Sequence, residues 1–468
     1  MNAAPAGVPD RPRHRGLITG SVILATILYS IDWTIAAVAL PHMQGTFSAT
    51  QDQISWVITS YIVASAIMIP TAGWLSTRFG RKRVFLVAMS GFMGASIACG
   101  AAPSLEFEVI ARILQGMSGA FLVPLSQAII LDTYPPEEQG KAMAYWGIGS
   151  VMGPVIGPTL GGYLTDYFSW RYIFFINVPF GLLALAGTAA FVPETERDPK
   201  RRLDWMGFLT LAFGVGALQM MLDRAERLDW FESPEILAEA AIAAAGLYLF
   251  AAHVLTTKQP FLEPRLLLNR GYFLGVLFAL LYGLITVPPM VLMPTFMQDL
   301  RDFPMETIGL LQSPRGFGLL AAMLAGGQLT GRLDPRLLIG FGLGCFAASS
   351  WEMSSWNFDV GAWPIVWTGF LQGVGAGIIL VPIQALAFPT LEPRHRTEAA
   401  AVFNLVRSVG SSIGVSIMLT LFTRGSGASR AQLAEHVTPY NELLRYEQAA
   451  RGWDTATLPG LAAIEREI

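Results

Sequence analysis

Two side chains of opposite charge stand inside apolar runs of this chain. Asp32 lies in Ile31-Asp32-Trp33-Thr34, and Arg112 opens Arg112-Ile113-Leu114-Gln115-Gly116. A charge in hydrocarbon costs several kcal/mol, so such a residue usually faces inward, toward a partner, and marks an ion or proton site. Asp32 is nine residues before Pro41, ~13 Å below the outer end of its helix at ~1.5 Å rise per residue. Arg112 is about seven residues into a helix entered from that same side, so ~10 Å down. Similar depth predicts a coupled pair. An apolar site favours a neutral acid and a neighbouring arginine favours the carboxylate, an opposition suited to a proton carrier. Protonating Asp32 frees Arg112, and deprotonation restores the pair. The same geometry also fits a static structural ion pair. Arg315, in Ser313-Pro314-Arg315-Gly316, and Arg407, in Asn404-Leu405-Val406-Arg407-Ser408, also sit mid-run, with no acidic partner in a second-half span.

Other chemistries are disfavoured. There is no Gly-x-x-x-x-Gly-Lys-Ser/Thr loop, which leaves an ion gradient rather than ATP as the drive. His14, His42, His253, His395 and His436 are scattered, with no His-Glu-x-x-His. Cys99 and Cys345, the two cysteines, both lie in apolar runs, which excludes a disulfide scaffold or a cysteine metal cluster. No metal or cofactor is implied beyond protons as the coupling ion.

The elements that must position these charges are membrane helices. Of 468 residues, 53% are apolar and 14% charged, and the mean hydropathy is +0.48. Soluble domains carry ~25% charged residues. The net charge of −3 gives no steering toward nucleic acid. A spanning helix needs ~20 mostly apolar residues. Thirteen segments qualify: 16–40, 55–75, 83–102, 106–131, 141–166, 171–192, 205–222, 235–256, 271–297, 305–329, 336–352, 362–388 and 397–423. The first ten residues lack a signal peptide's basic-then-apolar order. With the N-terminus inside, inner segments hold 19 of the Lys and Arg residues and the short outer loops only 4 (Arg171, Arg224, Arg227 and Arg301). That split sets the orientation and places the tail, 424–468, outside.

Weak internal repeats divide the chain into halves. Leu40-Pro41-His42-Met43-Gln44 resembles Met293-Pro294-Thr295-Phe296-Met297-Gln298. Gly73-x-Leu75-x-x-Arg78 recurs as Gly327-x-Leu329-x-x-Arg332, and Leu114-Gln115-Gly116 as Leu371-Gln372-Gly373. A six-span repeat beginning near 16 should restart near 205, yet it restarts near 271, so two spans are inserted. The predicted fold is an all-α polytopic membrane protein of two bundles. Residues 1–15 form an inner N-terminus, 16–192 a six-helix bundle, 193–204 a loop, 205–256 an inserted pair, 257–270 a linker and 271–423 a second bundle with five visible helices. Parallel halves about a central path suit a secondary transporter. Glu239 and His253, in the inserted pair, are expected to be peripheral.

Gly73-Trp74-Leu75-Ser76-Thr77-Arg78-Phe79-Gly80-Arg81-Lys82-Arg83 closes the second span on the inner side. Its glycines permit a tight turn and close helix approach, and its basic cluster can hold neighbouring helix ends or anionic lipid. In the fifth span, Gly149, Gly153, Pro154, Gly157, Pro158, Gly161 and Gly162 combine small-residue packing with proline kinks. The first of these patterns resembles the loop between helices two and three of the major facilitator superfamily, with Thr77 where that family usually has Asp. The second resembles the antiporter motif of the family's drug exporters, with Ala144 at its usual leading glycine. Ile31 to Pro41 and Arg112 to Gly119 look like first- and fourth-helix signatures of the fourteen-helix drug:proton antiporters.

The resemblance implies proton-coupled efflux of small hydrophobic or amphipathic compounds from the inner membrane, with no enzymatic activity. Asp32 and Arg112 would couple protons. Gly73, Arg78, Gly80, Arg81 and the fifth-span glycines and prolines would serve gating. By analogy with the family's central helices, Tyr29, Trp33, Gln115, Gln127, Gln372 and Asn404 line the substrate path, joined by Arg315 and Arg407. A dedicated exporter of one metabolite, or a non-transporting sensor, are the rival readings; a panel of unrelated dyes separates the first and vesicle transport the second. Partners are then a small-molecule substrate and the lipid bilayer, without nucleic acid. In double-membraned bacteria, relatives pass substrate to a periplasmic adaptor and outer-membrane channel, which no residue here establishes. The family plan ends with a fourteenth span that is not visible here, either because the sequence stops short of it or because the protein lacks it, and the fold is expected to persist with an exposed seam.

Overall fold

In a computed structural model, residues 14–434 are described, apart from 136–137, 258–259, 300–302, 304, 331, 358–359 and 389–390. The tail beyond Ala434 and the first thirteen residues, for which inner and outer placements are expected above, lie outside the described residues. So do the side chains of Pro154 and Pro158.

The described chain is a series of long helices. Eleven are long and apolar enough to cross a membrane. They are α1 (Arg15–Phe47), α2 (Gln51–Phe79), α3 (Arg81–Gly100), α4 (Leu105–Thr133), α6 (Tyr172–Phe191), α7 (Trp205–Arg224), α8 (Pro234–Thr256), α9 (Arg270–Gln298), α10 (Thr307–Leu329), α12 (Ala362–Ala387) and α13 (Arg396–Gln432). Between them lie α5 (Gln139–Tyr167) and α11 (Pro335–Met353). Each falls on one of the thirteen segments anticipated from hydropathy. Two differ in detail. The helix of α9 is interrupted at Val287, before Pro288 and Pro289, and resumes as Pro288–Asp299, because a proline ring blocks the helix-continuing backbone bond. And α13 runs on to Ala434 through Arg424-Gly425-Ser426-Gly427, past the end of its apolar stretch.

Local chemistry fixes the helix starts that matter for the site. Thr50 Oγ1 accepts from the Gln53 amide at 3.3 Å, and Gln53 Oε1 accepts from the Thr50 amide at 3.0 Å. This reciprocal cap satisfies two otherwise unpaired N–H groups at the head of α2. Ser104 Oγ accepts from the Phe107 amide at 3.3 Å, which sets the register of α4 and so the direction of Arg112.

The packing repeats between halves. Helix α4 lies against α1, α2 and α3, and α12 lies correspondingly against α9, α10 and α11. Gly116 of α4 abuts the backbone of Tyr61 on α2, and Gly373 of α12 abuts the backbone of Arg315 on α10. Arg315 therefore occupies the second-half counterpart of Tyr61. The halves meet along two seams. One is α5 against α10 and α12, where Gly327 meets Ala144. The other is α2 against α13, where Gly73 meets Glu398.

The inserted pair is not symmetric in its packing. Helix α7 packs on α2, through Gly216 against Ile67 and a hydrogen bond from Thr59 to Asp223, and Gln219 bonds Ser412 of α13. Helix α8 packs on α7, with Gly214 and Gly246 in backbone contact. His253 of α8 bonds the Asp204 cap of α7 at 2.8 Å, and Glu239 bonds Arg224 at 2.8 Å. Both residues tie the insertion to itself. A first compact unit ends at Gly414 and a second begins at Val415.

Candidate functional site

Asp32 and Arg112 meet inside the first bundle. Arg112 Nη1 donates to Asp32 Oδ2 at 2.6 Å, and both side chains are fully buried. The arginine is held from three further sides. Its Nε donates to the Val57 carbonyl at 3.0 Å, its Nη1 also donates to Gln115 Oε1 at 2.8 Å, and its guanidinium lies 4.2 Å from the Tyr61 ring centroid. The remaining carboxylate oxygen, Asp32 Oδ1, accepts from Gln115 Nε2 at 2.7 Å and from Asn177 Nδ2 at 2.9 Å. Asn177 in turn donates to Ser96 Oγ at 3.0 Å, and Ser96 donates to the Phe174 carbonyl at 2.8 Å.

Five helices thus converge on one carboxylate and its counter-ion. A buried ion pair persists when its remaining hydrogen-bonding capacity is also satisfied, and Asp32 meets that condition. Sequence reasoning placed Gln115 along the substrate path; the structure places it inside the ion-pair cluster. Asn177 was missed. The signal available was a single amide side chain in the mostly apolar sixth span.

At the end of the bundle rich in Lys and Arg, acids that the motifs did not single out tie the halves together. Asp132, at the last turn of α4, pairs with Arg81 of α3 and, at 2.8 Å, with Arg396 of α13. Glu398 of α13 lies 3.5 Å from Arg201, accepts from the Glu263 amide and sits against Gly73. Thr77 donates to the Gly73 carbonyl at 2.9 Å. At this end, carboxylates on α4 and α13 pair with basic residues, while position 77 carries a hydroxyl. Arg78 donates to the Arg201 carbonyl at 2.9 Å and stacks on Trp74 and Phe79. Gly80 has φ +92°, a conformation that L side chains rarely adopt, and it makes the corner from α2 to α3.

Opposite-sign contacts of this kind, partly exposed, contribute about 1–2 kcal/mol together. Asp132→Asn weakens the contact with Arg396, the one of its two arginine contacts that crosses the halves, and is expected to shift the population roughly threefold toward a form parted at this end. Distance distributions between spin labels on α4 and α13 measure that shift, and an unchanged distribution would show that Asp132 does not hold this end closed.

Other residues named above as path or gating candidates fall into separate groups. Gln127 and Asn404 bond each other across the halves at 2.8 Å. Tyr29, half-buried, lies 6.1 Å from Tyr61, and Trp33 packs beside the same core. In the second bundle, Arg315 donates to the Thr286 carbonyl at 2.6 Å and Arg407 to Asn404 Oδ1 at 3.2 Å. Neither has a carboxylate partner among the described residues, and Tyr282 lies within electrostatic reach of both. Arg315, Gln372, Gln312, Met293 and Met353 line a narrow cavity. Gly153, Gly157 and Gly161 carry the close contact of α5 with α1, whereas Gly162 has nothing within 4 Å.

The Major Facilitator Superfamily model matches residues 22–415. The chain is 34% identical to the multidrug export protein EmrB of Escherichia coli strain K12, over 97% of this chain and 91% of that protein. It is also 34% identical to the fatty acid resistance protein FarB of Neisseria gonorrhoeae, over 92% and 85%. Among solved structures it resembles the human organic anion transporter MFSD10, with a TM-score of 0.62 at 16% identity over 87% of this chain and 94% of that one.

Proposed function

The chain belongs to the major facilitator superfamily, in its branch of multidrug exporters, and from that premise we propose that protons taken up at Asp32 drive the outward passage of hydrophobic or amphipathic small molecules. The observation that carries this reading is the fully buried Asp32–Arg112 pair. A carboxylate in hydrocarbon-like surroundings is tolerated only with its counter-charge or with a proton. Protonation makes Arg112 surplus at Asp32, and loss of the proton draws it back. The two states demand different placements of α1 and α4, and such a bistable element is what a coupled transporter needs.

We place the basic end in the cytoplasm by the positive-inside rule. The form described is then closed on the cytoplasmic side, and Asp32 lies nearer the opposite face. A proton moving inward gains ~2.3 kcal/mol per 100 mV of membrane potential. Arg315 and Arg407 stand in the second bundle beside Tyr282, with no carboxylate partner among the described residues. They favour amphipaths that carry an acidic group, a preference in line with the name of the fatty acid resistance relative. In a cell with two membranes, the compound emerges at the far end, where a periplasmic adaptor and outer-membrane channel would receive it.

The test is transport in proteoliposomes under an imposed pH gradient, with ethidium and anilinonaphthalene sulfonate as cationic and anionic probes. Asp32→Asn keeps an oxygen toward Gln115 and Asn177 but leaves Arg112 without its counter-charge, so thermal unfolding is measured beside transport to establish that the variant is folded. Proton-driven transport of either dye is expected to fall at least 100-fold. Undiminished proton-driven transport by that variant would refute the coupling role. Equal handling of both dyes by Arg407→Gln and the parent protein would refute the acid preference.

A further inference from the structure

The cluster around Asp32 contains a second carboxyl that none of the sequence motifs includes. Glu108 is on α4, four residues before Arg112, and is fully buried. Residues four apart lie on the same helix face. Among the described residues, neither Glu108 oxygen has a hydrogen-bond partner, and one nitrogen of Arg112, Nη2, is also without one. The remaining groups that face Glu108 are occupied elsewhere. Arg171, in the turn before α6, donates to the Gly100 and Ala102 carbonyls at 3.0 and 2.8 Å and stacks on Trp170. The Cys99 thiol of α3 donates to Gln115 Oε1 at 3.5 Å. Asp32 of α1 is bound by Arg112, and Tyr61 of α2 presents its ring.

An acid and a cation on one helix face, each with an unused bonding site, are poised to pair. The charge balance gives the condition. Arg112, Asp32 and Glu108 together are neutral only when the two acids share one proton. In the form described, Arg112 is committed to Asp32, so the proton belongs on Glu108. An unpaired buried carboxylate is far costlier than a buried neutral acid.

We propose that Glu108 is a second proton-carrying carboxyl and the alternate partner of Arg112. When Asp32 gains a proton, Glu108 loses one, and Arg112 turns from Asp32 to Glu108. The O–H bond of the Glu108 carboxylic acid breaks and one forms on the Asp32 carboxylate, so the trio is neutral before and after this transfer; it turns anionic when Asp32 releases its proton, until Glu108 is reprotonated. Glu108 is one helical turn, ~6 Å, nearer the outer end of α4 than Arg112. It therefore takes up protons from the far side and passes them to Asp32, which releases them toward the basic end. This relay rests on the proton-coupling role of Asp32 argued above.

The experiment combines infrared difference spectroscopy of the full-length protein between acid and alkaline pH with the proteoliposome assay using anilinonaphthalene sulfonate. In Glu108→Gln, one buried carboxylic-acid C=O band is expected to vanish. The thermal midpoint should be unchanged at neutral pH, because a neutral amide replaces a neutral acid, and proton-driven transport should fall at least tenfold. An unaltered set of carboxylic-acid bands, or transport at the parent rate, would overturn the relay. Should the glutamine variant fail to fold, Glu108→Asp decides the question: a shifted band supports the proposal and an unmoved one overturns it. Asp32→Asn keeps the two readings apart. If that variant transports normally, the coupling reading falls, whereas loss of transport there with a parental Glu108→Gln removes only the relay.

Discussion

Arg112→Met is expected to lower stability by about 3–5 kcal/mol at alkaline pH, the cost of leaving a buried charge without its partner, and to abolish coupled transport. The guanidinium makes contacts with Asp32, the Val57 carbonyl and Gln115 while lying on the Tyr61 ring. Methionine fills similar volume and replaces none of them. Asp32 keeps only the amides of Gln115 and Asn177, which are dipoles facing a full charge. The sign of the pH dependence follows directly. An ionised Asp32 bears the whole penalty, and a protonated one needs no counter-charge, so the deficit is largest at high pH and shrinks as pH falls. Thermal unfolding in detergent at two pH values measures it. The double variant Asp32→Asn with Arg112→Met removes both charges and should regain most of the stability while remaining inert in transport. If the single variant is as stable as the parent at every pH, the pair holds no uncompensated charge and the coupling argument fails. Arg112→Lys is expected to rescue only part, because an ammonium on a flexible stem cannot reproduce the planar fork that reaches Asp32 and Gln115 at once.

The ion pair was legible because membrane solvation leaves few choices. Two charges of opposite sign at similar depth in a medium that excludes them are favoured to meet, and chain length alone supplied the depth. The helices were legible for the same reason, and Gly116 and Gly373, which recur in the two halves, make the same backbone contact. What stayed hidden was everything settled by rotation about a helix axis. Gln115 turns to Asp32 rather than to the central path. Asn177 is brought in by α6, whose facing residue no spacing rule singles out. Glu108 looks like an ordinary first-turn acid, of the kind that complements a helix N-terminus, and only its complete burial separates it from Glu106, two residues earlier. The locking acids Asp132 and Glu398 were hidden differently. The family pattern has its acid at position 77, where this chain has Thr, yet an ion pair across a seam can draw its carboxylate from either side of it.

The seam between α1 and α5 is where the second large effect is expected. Gly149, Gly153, Gly157 and Gly161 recur every four residues on one face of α5. They meet Ile23, Ser30, Thr34 and Ile35 of α1. The approach is close enough for polar bonds between the helices: Ser30 donates to the Ser150 carbonyl at 2.6 Å and Thr34 to the Gly153 carbonyl at 3.1 Å. A Cβ at position 153 would fall on the Ser30 backbone carbonyl, which cannot rotate away as a side chain would. Gly153→Leu therefore has to part the two helices. Overpacking of this kind costs about 1–3 kcal/mol, and the lost bonds add to it. The functional effect is expected to exceed the loss of stability. At ~100° of rotation per residue, Asp32 lies ~200° around α1 from Ser30, so the face opposite the seam carries the carboxylate toward Arg112. Displacing α1 from α5 drives Asp32 into α4, against a partner already in contact. Transport is expected to fall at least 100-fold, with a thermal midpoint several degrees lower. Gly162→Leu is the control, because that glycine has open space around it, and it should transport as the parent does. If Gly153→Leu and Gly162→Leu behave alike, the seam does not position the carboxylate, and the glycines of α5 act only through their own helix.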